Sequence, residues 1–562
     1  MRKHIGMMVL LGAGVSFPAL GYGQEDRLPG VIDRPVPSVE IPKSHSLDAP
    51  VGKPLGDAPQ LGAVENGGQV VATLNRVVFN GSTVIGDDVL QKVVAPYLGH
   101  PITKADLAQL KFDVTSAFYD RGYILVKVVT PPQDLSDGEL EVAVYEAKVG
   151  AINVQDEQGV LQPQIVNGIT HRVHPGTVFQ ERPVESMISD INDLKNVEAT
   201  LNLQPGQEFS TTDLNIAIRE AEEDVNRFTL DNYGAKLTGR AVAGLHLEKS
   251  NLLHLGETFG LNLRGSNGDL WSVGGDAAIP TGLENIVAEV GYLHSENNIG
   301  DRLKALDAEG ETDRLNLALS SKLVNTRNVK ATVRGGFEGR VHKSSLAEVE
   351  DTKDDIRQFY VEGTYLQRAI NTIFYTSGRV THGIDSWGGN KKGDPMASRA
   401  LGDPEAWRFE PVVYVNWRPP FEQSGVLKAL ATGQYSTNTL LSSDLFVLGG
   451  YGSVRGFEPA QETGESGYQF SVEYDHELPY TSNSIWKLSA GPFVDGGAVY
   501  NRLQGQVEDT HLYSAGLGLE AVGDLVPAGE TRFRVDWART LGDYDSAEVL
   551  GNTVYFGISQ NF

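Results

Sequence analysis

His171-x-x-His174 sets two imidazoles within reach of one ion, which is half of a metal site. The pair runs straight into Pro175-Gly176 and no carboxylate cluster adjoins it, so a solvated loop is expected there and a metal centre is not. Gly516-x-Gly518 has part of the glycine spacing that cradles phosphates. It lies in alternating sequence, lacks the third glycine and opens no helix, so it reads as strand rather than as a nucleotide fingerprint. Glu348, Glu350, Asp351, Asp354 and Asp355 gather carboxylates, but their spacing repeats no calcium-ligand pattern, and a hydrated outer loop is expected. No Ser/His/Asp set stands out as nucleophile, base and orienter. The expectation is a protein that is not an enzyme, with no catalytic residues, no cofactor and no metal. Single charges in unusual settings remain. Arg455 stands in Gly449-Gly450-Tyr451-Gly452-Ser453-Val454-Arg455-Gly456-Phe457, where Gly456 lets a loop tip fold tightly. Asp495 stands in Phe493-Val494-Asp495-Gly496-Gly497, where Phe493, Asp495 and Gly497 share one parity of a strand.

Composition narrows the setting. The chain has 562 residues, a formal net charge of −26 and no cysteine. Acidity on that scale argues against a nucleic-acid partner, which needs a basic footprint. Without cysteine there is no disulfide framework, thiolate zinc site or cysteine nucleophile. Glycine, at 63 residues, is about 11% against a typical ~7%, and it is spread without a collagen period. Residues 1–23 read as an export signal: Arg2 and Lys3, then an apolar stretch from Ile5, then small Gly21 and Gly23 at the cut. After residue 23 no apolar run is long enough for a membrane-spanning helix. Residues 24–69 read as a Pro-rich linker, with Pro29, Pro35, Pro37, Pro42, Pro50, Pro54 and Pro59.

Two small α+β units are expected at 70–147 and 148–223. The first reads as a strand Val70 to Phe79, helices Val89 to Leu98 and Lys104 to Asp120, and strands Ile124 to Val129 and Glu139 to Tyr145. The second repeats that order from Val149, about 75 residues on. From there to Phe562 the period is two: Leu315, Leu317 and Leu319 alternate with Arg314, Asn316 and Ser320, and Phe533, Val535 and Trp537 with Arg532, Arg534 and Asp536. Sixteen strands fit, near 226–234, 238–249, 255–266, 269–279, 284–298, 311–325, 328–343, 356–368, 371–385, 406–418, 425–437, 466–478, 486–500, 511–523, 529–541 and 550–562. An even count, with about 21 residues for each strand and its connection, suits a transmembrane barrel. The export signal, aromatics near segment ends (Trp387, Trp407, Trp417, Trp486) and a last strand ending Phe556, Ile558, Phe562 point the same way. The fold class is mainly β: a 16-stranded antiparallel transmembrane barrel, 224–562, after two α+β units.

With these residues in place, the chain resembles a known family. Val454-Arg455-Gly456-Phe457 is similar to the VRG[FY] loop motif of outer-membrane protein-assembly and protein-export barrels, and Phe493-x-Asp495-x-Gly497 to their FxDxG strand motif. Tyr119-Asp120-Arg121-Gly122-Tyr123, Pro132-Gln133, Asp137-Gly138 and Glu139-Leu140 resemble a first POTRA (polypeptide-transport-associated) domain, and Leu203-Gln204-Pro205-Gly206 a second. Over roughly 70–562 the chain resembles the TpsB transporters of two-partner secretion, the ShlB/FhaC/HecB-like haemolysin secretion/activation group. The resemblance implies an outer-membrane location with POTRA domains in the periplasm, and ATP-free secretion of an unfolded TpsA-type exoprotein (adhesin, cytolysin or contact-dependent toxin). It implies an inward sixth loop whose Arg455 meets Asp495. Phe556, Ile558 and Phe562 would form a C-terminal assembly signal. Outer-membrane lipid would surround the barrel, and barrel-assembly machinery and periplasmic chaperones would serve its biogenesis. Many members carry a pore-plugging helix before the linker, and Pro-rich 24–65 shows no such helix. Two alternatives stand beside this reading: a barrel-assembly factor of the same superfamily, and a porin or barrel enzyme. The surplus negative charge is assigned to outer loops and lumen.

Overall fold

The computed structural model describes residues 58–61 and, from 67 onward, all but 222–223, 225, 269, 284, 299, 301–306, 347–348, 400, 423, 480–485, 504–505, 527–528 and 543–550. The expected export signal and most of the Pro-rich linker lie outside the described residues.

In the first unit, Thr103 starts the helix Lys104–Tyr119 with a reciprocal cap: the Asp106 N–H donates to its hydroxyl at 3.2 Å and its own N–H donates to the Asp106 carboxylate at 2.7 Å. The apolar face of this helix, with Leu110, Val114 and Phe118 fully buried, packs with the helix Asp87–Val94. Both helices cover a sheet in which Glu139–Glu146 lies between Arg76–Asn80, parallel to it, and Val126–Val129, antiparallel. The strand expected over Val70 to Phe79 is two strands. Val70–Thr73 pairs with Pro101–Thr103, and the chain breaks at Leu74-Asn75, where the Asn75 N–H turns to the Gly138 carbonyl at 2.7 Å. The second unit repeats the plan. Thr211–Glu220 lies between Lys148–Gln155, parallel, and Val197–Pro205, antiparallel, under helices Pro163–Thr170 and Glu181–Asn192.

Sixteen antiparallel strands then close into a barrel, the first (Arg227–Asp231) pairing with the sixteenth (Asn552–Asn561). Its burial is inside out. Leu315, Leu317 and Leu319 are 40–56% exposed, whereas Arg314 and Asn316, which alternate with them, are 1% exposed. A row of bare leucines beside buried arginines is stable when the outer solvent is hydrocarbon. Outward aromatics pair at both ends, Tyr365 with Phe374 and Trp486 with Phe533 at the end near the N-terminal units, and others at the far end. Trp407 stacks on His382, and Trp387 packs on Phe337 and Phe359. The eighth strand, Val349–Ala369, starts earlier than expected. Glu350, Asp351, Asp354 and Asp355 therefore belong to a strand, not to a hydrated loop, and Asp354 is 1% exposed. Its side chain shares the inward parity of Gln358, so it leaves water for the lumen. Glu348 lies outside the described residues.

The second unit is fastened to the near end of the barrel. Asp193, which caps the helix Glu181–Asn192, takes Lys322 at 2.7 Å and Lys330 at 2.6 Å from the sixth (Ala308–Asn325) and seventh (Val329–Leu346) strands. Asn325 donates to Asp190 at 2.7 Å and to Asp193 at 2.8 Å. Burial pushes the Asp193 carboxyl up, but Lys322 and Lys330 more than offset it and hold it below its ordinary 3.8. A depressed carboxyl contributes stability above its unfolded pKa and loses it as pH falls through the lower folded value. Docking should therefore persist from neutrality to about pH 4 and fail only in stronger acid. Asp193→Asn should loosen it already at neutral pH. Spin-label distances between this unit and the barrel check the point: they should broaden in the variant, and an unchanged distribution contradicts it.

Candidate functional site: an arginine clamped inside the barrel

The connection between the eleventh strand (Gly425–Ser436) and the twelfth (Ser466–Glu477) turns back into the lumen. A short ribbon, Phe446–Leu448 with Glu462–Gly464, stiffens its stem. At its tip Val454 and Phe457 are fully buried and pack with Leu448, Val499 and Leu512. These apolar feet fix the residue between them. Gly456 takes φ +93°, which a side chain resists, and its N–H donates to the Tyr555 hydroxyl at 2.9 Å. Arg455 is thereby aimed at the wall.

On that wall, in the thirteenth strand (Trp486–Leu503), Phe493, Asp495 and Gly497 face inward. The Arg455 guanidinium grips Asp495 with two bonds, Nε to Oδ2 at 2.7 Å and Nη2 to Oδ1 at 2.8 Å, and the Arg455 N–H adds a third at 3.2 Å. Its Cζ lies 3.3 Å from the centre of the Phe493 ring. Nη1 reaches Glu473 at 2.6 Å, and Ser471 donates to Asp495 at 2.7 Å. Gly497 faces Leu448 of the loop stem. Arg455 is 4% exposed and Asp495 fully buried. A bidentate arginine–carboxylate pair in a low-dielectric lumen is among the stronger polar contacts a protein makes.

The clamp is part of a larger network. Arg534, in the fifteenth strand (Gly529–Thr540), binds Asp536 at 2.7 Å and reaches Glu473 at 3.5 Å and Asp475 at 3.6 Å, and Lys428 takes Asp475 at 2.7 Å. Tyr451 donates to Asp536 at 3.0 Å and stacks on Tyr233, just beyond the first strand, at 3.6 Å between centroids. The loop tip thus touches the seam where the barrel closes. Beside it lies a cavity of about 550 Å³ lined by Lys428, Arg455, Glu473, Asp495 and Arg534.

Ser471, Glu473, Asp475, Arg534, Asp536 and Tyr451 were not singled out from sequence. Their signal was a charged or polar type at inward parity, but only register brings them together: Ser471 is the direct partner of Asp495, and Glu473 of Phe493. Phe556 and Phe562 are 46% and 48% exposed on the outer face, and Ile558 pairs with Leu230 and Phe533. The rings of His171 and His174 meet edge to face at 5.3 Å, with no third donor grouped with them among the described residues. His294, Glu311 and Asp313 do cluster on the outer wall, where His294 is spent on Asp313 at 3.0 Å and Lys343 on Glu311 at 3.1 Å.

Gly516 has a packing role. A Cβ there would lie 2.0 Å from the Trp537 carbonyl oxygen and 2.3 Å from Phe493 Cζ. Gly516→Val should therefore push the Phe493 ring off the guanidinium and loosen the loop tip. Proteolysis of intact cells should cut the variant loop faster than the parent, and equal protection contradicts the packing argument.

Known proteins can now be set beside this geometry. Residues 210–521 match the family model of the haemolysin secretion/activation protein ShlB/FhaC/HecB, and 72–147 the ShlB-type POTRA domain. The chain is 24% identical to the heme/hemopexin transporter protein HuxB of Haemophilus influenzae, over 96% of this chain and 95% of that one. It is 23% identical to the outer membrane transporter CdiB of Dickeya dadantii over 80% of each. The solved structure of CdiB from Escherichia coli shares the fold, with a TM-score of 0.73 at 19% identity over 90% of this chain and 94% of that one. The family match extends from the second N-terminal unit into the fourteenth strand (Gln506–Val526), so it contains both Arg455 and Asp495, and the chain belongs to the ShlB/FhaC/HecB family of haemolysin secretion/activation proteins.

Proposed function

We propose that Arg455 and Asp495 hold the inward loop in the one position from which this transporter exports its partner. Membership of the family makes the chain a two-partner secretion transporter of the outer membrane, with no enzymatic step, that exports a partner exoprotein. The finer picture is our reading. The units 70–147 and 148–223 act as periplasmic POTRA domains that catch the partner unfolded, and 224–562 is the conduit. Each POTRA sheet ends in an edge strand that an extended client can join: Val126–Val129 in one, and in the other Val197–Pro205 beyond Ala199, whose N–H and carbonyl are taken by Asn192. Backbone pairing to such an edge is indifferent to client sequence, which suits an unfolded cargo. The observation that carries the reading is the clamp inside a closed barrel. A lumen occupied by the loop, whose tip is held to the wall through Arg455 and Asp495, admits no folded domain, so the partner passes as a chain and the loop yields.

The partner is of the TpsA type, an adhesin, cytolysin or contact-dependent toxin. HuxB is described as a heme/hemopexin transporter and HpmB of Proteus mirabilis as a hemolysin transporter, so relatives serve unlike cargoes. No ATP-binding motif is legible in the sequence, and folding of the cargo outside is the energy source that fits. Outer-membrane lipid contacts the exposed apolar rows. Phe556, Ile558 and Phe562 address the barrel-assembly machinery after periplasmic chaperones deliver the chain.

Arg455→Ala strands Asp495 in the lumen, a change that costs about 3–5 kcal/mol in buried pairs. Secreted partner should fall by about tenfold or more, while the heat-modifiable barrel persists in the outer membrane. Normal secretion by that variant would sink the proposal.

A further inference from the structure

The loop that carries Arg455 has a second ionic hold, of reversed polarity, at the outer end of the barrel. Asp444 ends a single turn, Ser442–Asp444, on the limb that enters the loop. Its carboxylate is bound by Arg340 of the seventh strand and Arg408 of the tenth (Trp407–Trp417). Both arginines are nearly inaccessible, at 1% and 4% exposure, and Asp444 is 8% exposed. Next to it Asp354 of the eighth strand accepts from the Ser398 N–H at 2.9 Å, the Ser398 hydroxyl at 2.7 Å and the Ser443 hydroxyl at 3.0 Å. Ser398 belongs to the preceding outer loop, between the ninth strand (Thr372–Ile384) and the tenth. Arg399 of that loop donates to the Leu440 carbonyl at 2.8 Å and pairs with the fully buried Glu465 at 2.8 Å. Leu440, Leu441 and Leu445 are buried beneath. The two loops therefore form one cap, sewn through buried charge to strands seven, eight and ten. The Arg455 clamp uses strands twelve, thirteen and fifteen. The hairpin is held at two places on different arcs of the wall.

We infer that Asp444, bound by Arg340 and Arg408, is a positioning residue that latches the outer cap and keeps the resting pore closed, separately from the Arg455 clamp. This rests on the export reading, yet closure can be measured without any partner protein. The carboxylate is what lets two buried guanidinium groups converge. Without its charge they face each other as like charges in a medium of low dielectric, and the cap is driven outward.

The test is conductance of the full-length protein in planar bilayers, beside export from cells. Asp444→Asn should raise the open fraction of the pore by about tenfold, and Asp444→Glu should restore closure, which a role in bulk packing alone would not do. Should Asp444→Asn fail to insert, Arg340→Gln with Arg408→Gln strips the latch from the other side and should open the pore likewise. An inserted variant of either kind that stays as quiet as the parent overturns the latch. Loss of export with a quiet pore also overturns it and leaves the export reading intact. An open pore in a protein that exports nothing at all, parent included, supports the latch and fails the export reading.

Discussion

A guanidinium sealed inside a barrel tolerates few surroundings, and the structure around Arg455 is organised to supply them. A buried ion pair is weak as a source of stability, because desolvation offsets most of its attraction. Its force lies in the cost of any arrangement that separates the partners. The hairpin can enter the lumen only where Asp495, Glu473 and Ser471 wait together, and that requires the twelfth and thirteenth strands in one register. Slipping a strand by one residue would turn Asp495 to lipid. One contact therefore couples loop position, strand register and barrel closure, the last through Tyr451 on Tyr233 and Gly456 on Tyr555.

The same economy runs through the barrel wall. Apolar residues face outward and charged residues inward, so hydrophobic burial fills the lumen only locally, at the loop tip on Val499 and Leu512. Arginine–carboxylate contacts and small residues fill the rest. Arg334 on Glu289 at 2.7 Å, Arg379 on Glu338 at 3.3 Å and the Asp444 latch are of this kind. Polar packing of that sort is directional, and once a partner is withdrawn it fails abruptly rather than by degrees. For a pore that must hold shut and then let a chain pass, abrupt failure at a few defined contacts is more useful than a continuous apolar plug.

Most of the architecture was legible because it rests on short-range periodicity. A period of two persists wherever one face meets lipid, so the strands were readable even where composition looked unremarkable, and both helical units showed their apolar spacing. Failures came where the deciding contact is distant in sequence. The run Val70 to Phe79 is uniformly strand-like, and its break at Leu74-Asn75 is set by Gly138. The acidic stretch before Ile356 has the composition of a solvated loop, but alternation carries Asp354 to the lumen and to Ser398 and Ser443. At the site, the loop and wall motifs stood out as sequence. Glu473, Asp536 and Arg534 did not, because nothing local marks which inward charges will meet across registered strands. Asp444 was hidden for the same reason.

The central claim is that Arg455 and Asp495 act as one unit, and a double-mutant cycle tests it most directly. Export is measured for the parent, Arg455→Ala, Asp495→Ala and the double variant at equal barrel levels. If the pair is the unit, the double variant exports no worse than the poorer single one, since removing the second partner of a broken pair takes away nothing further. Losses that multiply in the double variant would contradict it, showing that each residue acts through contacts of its own.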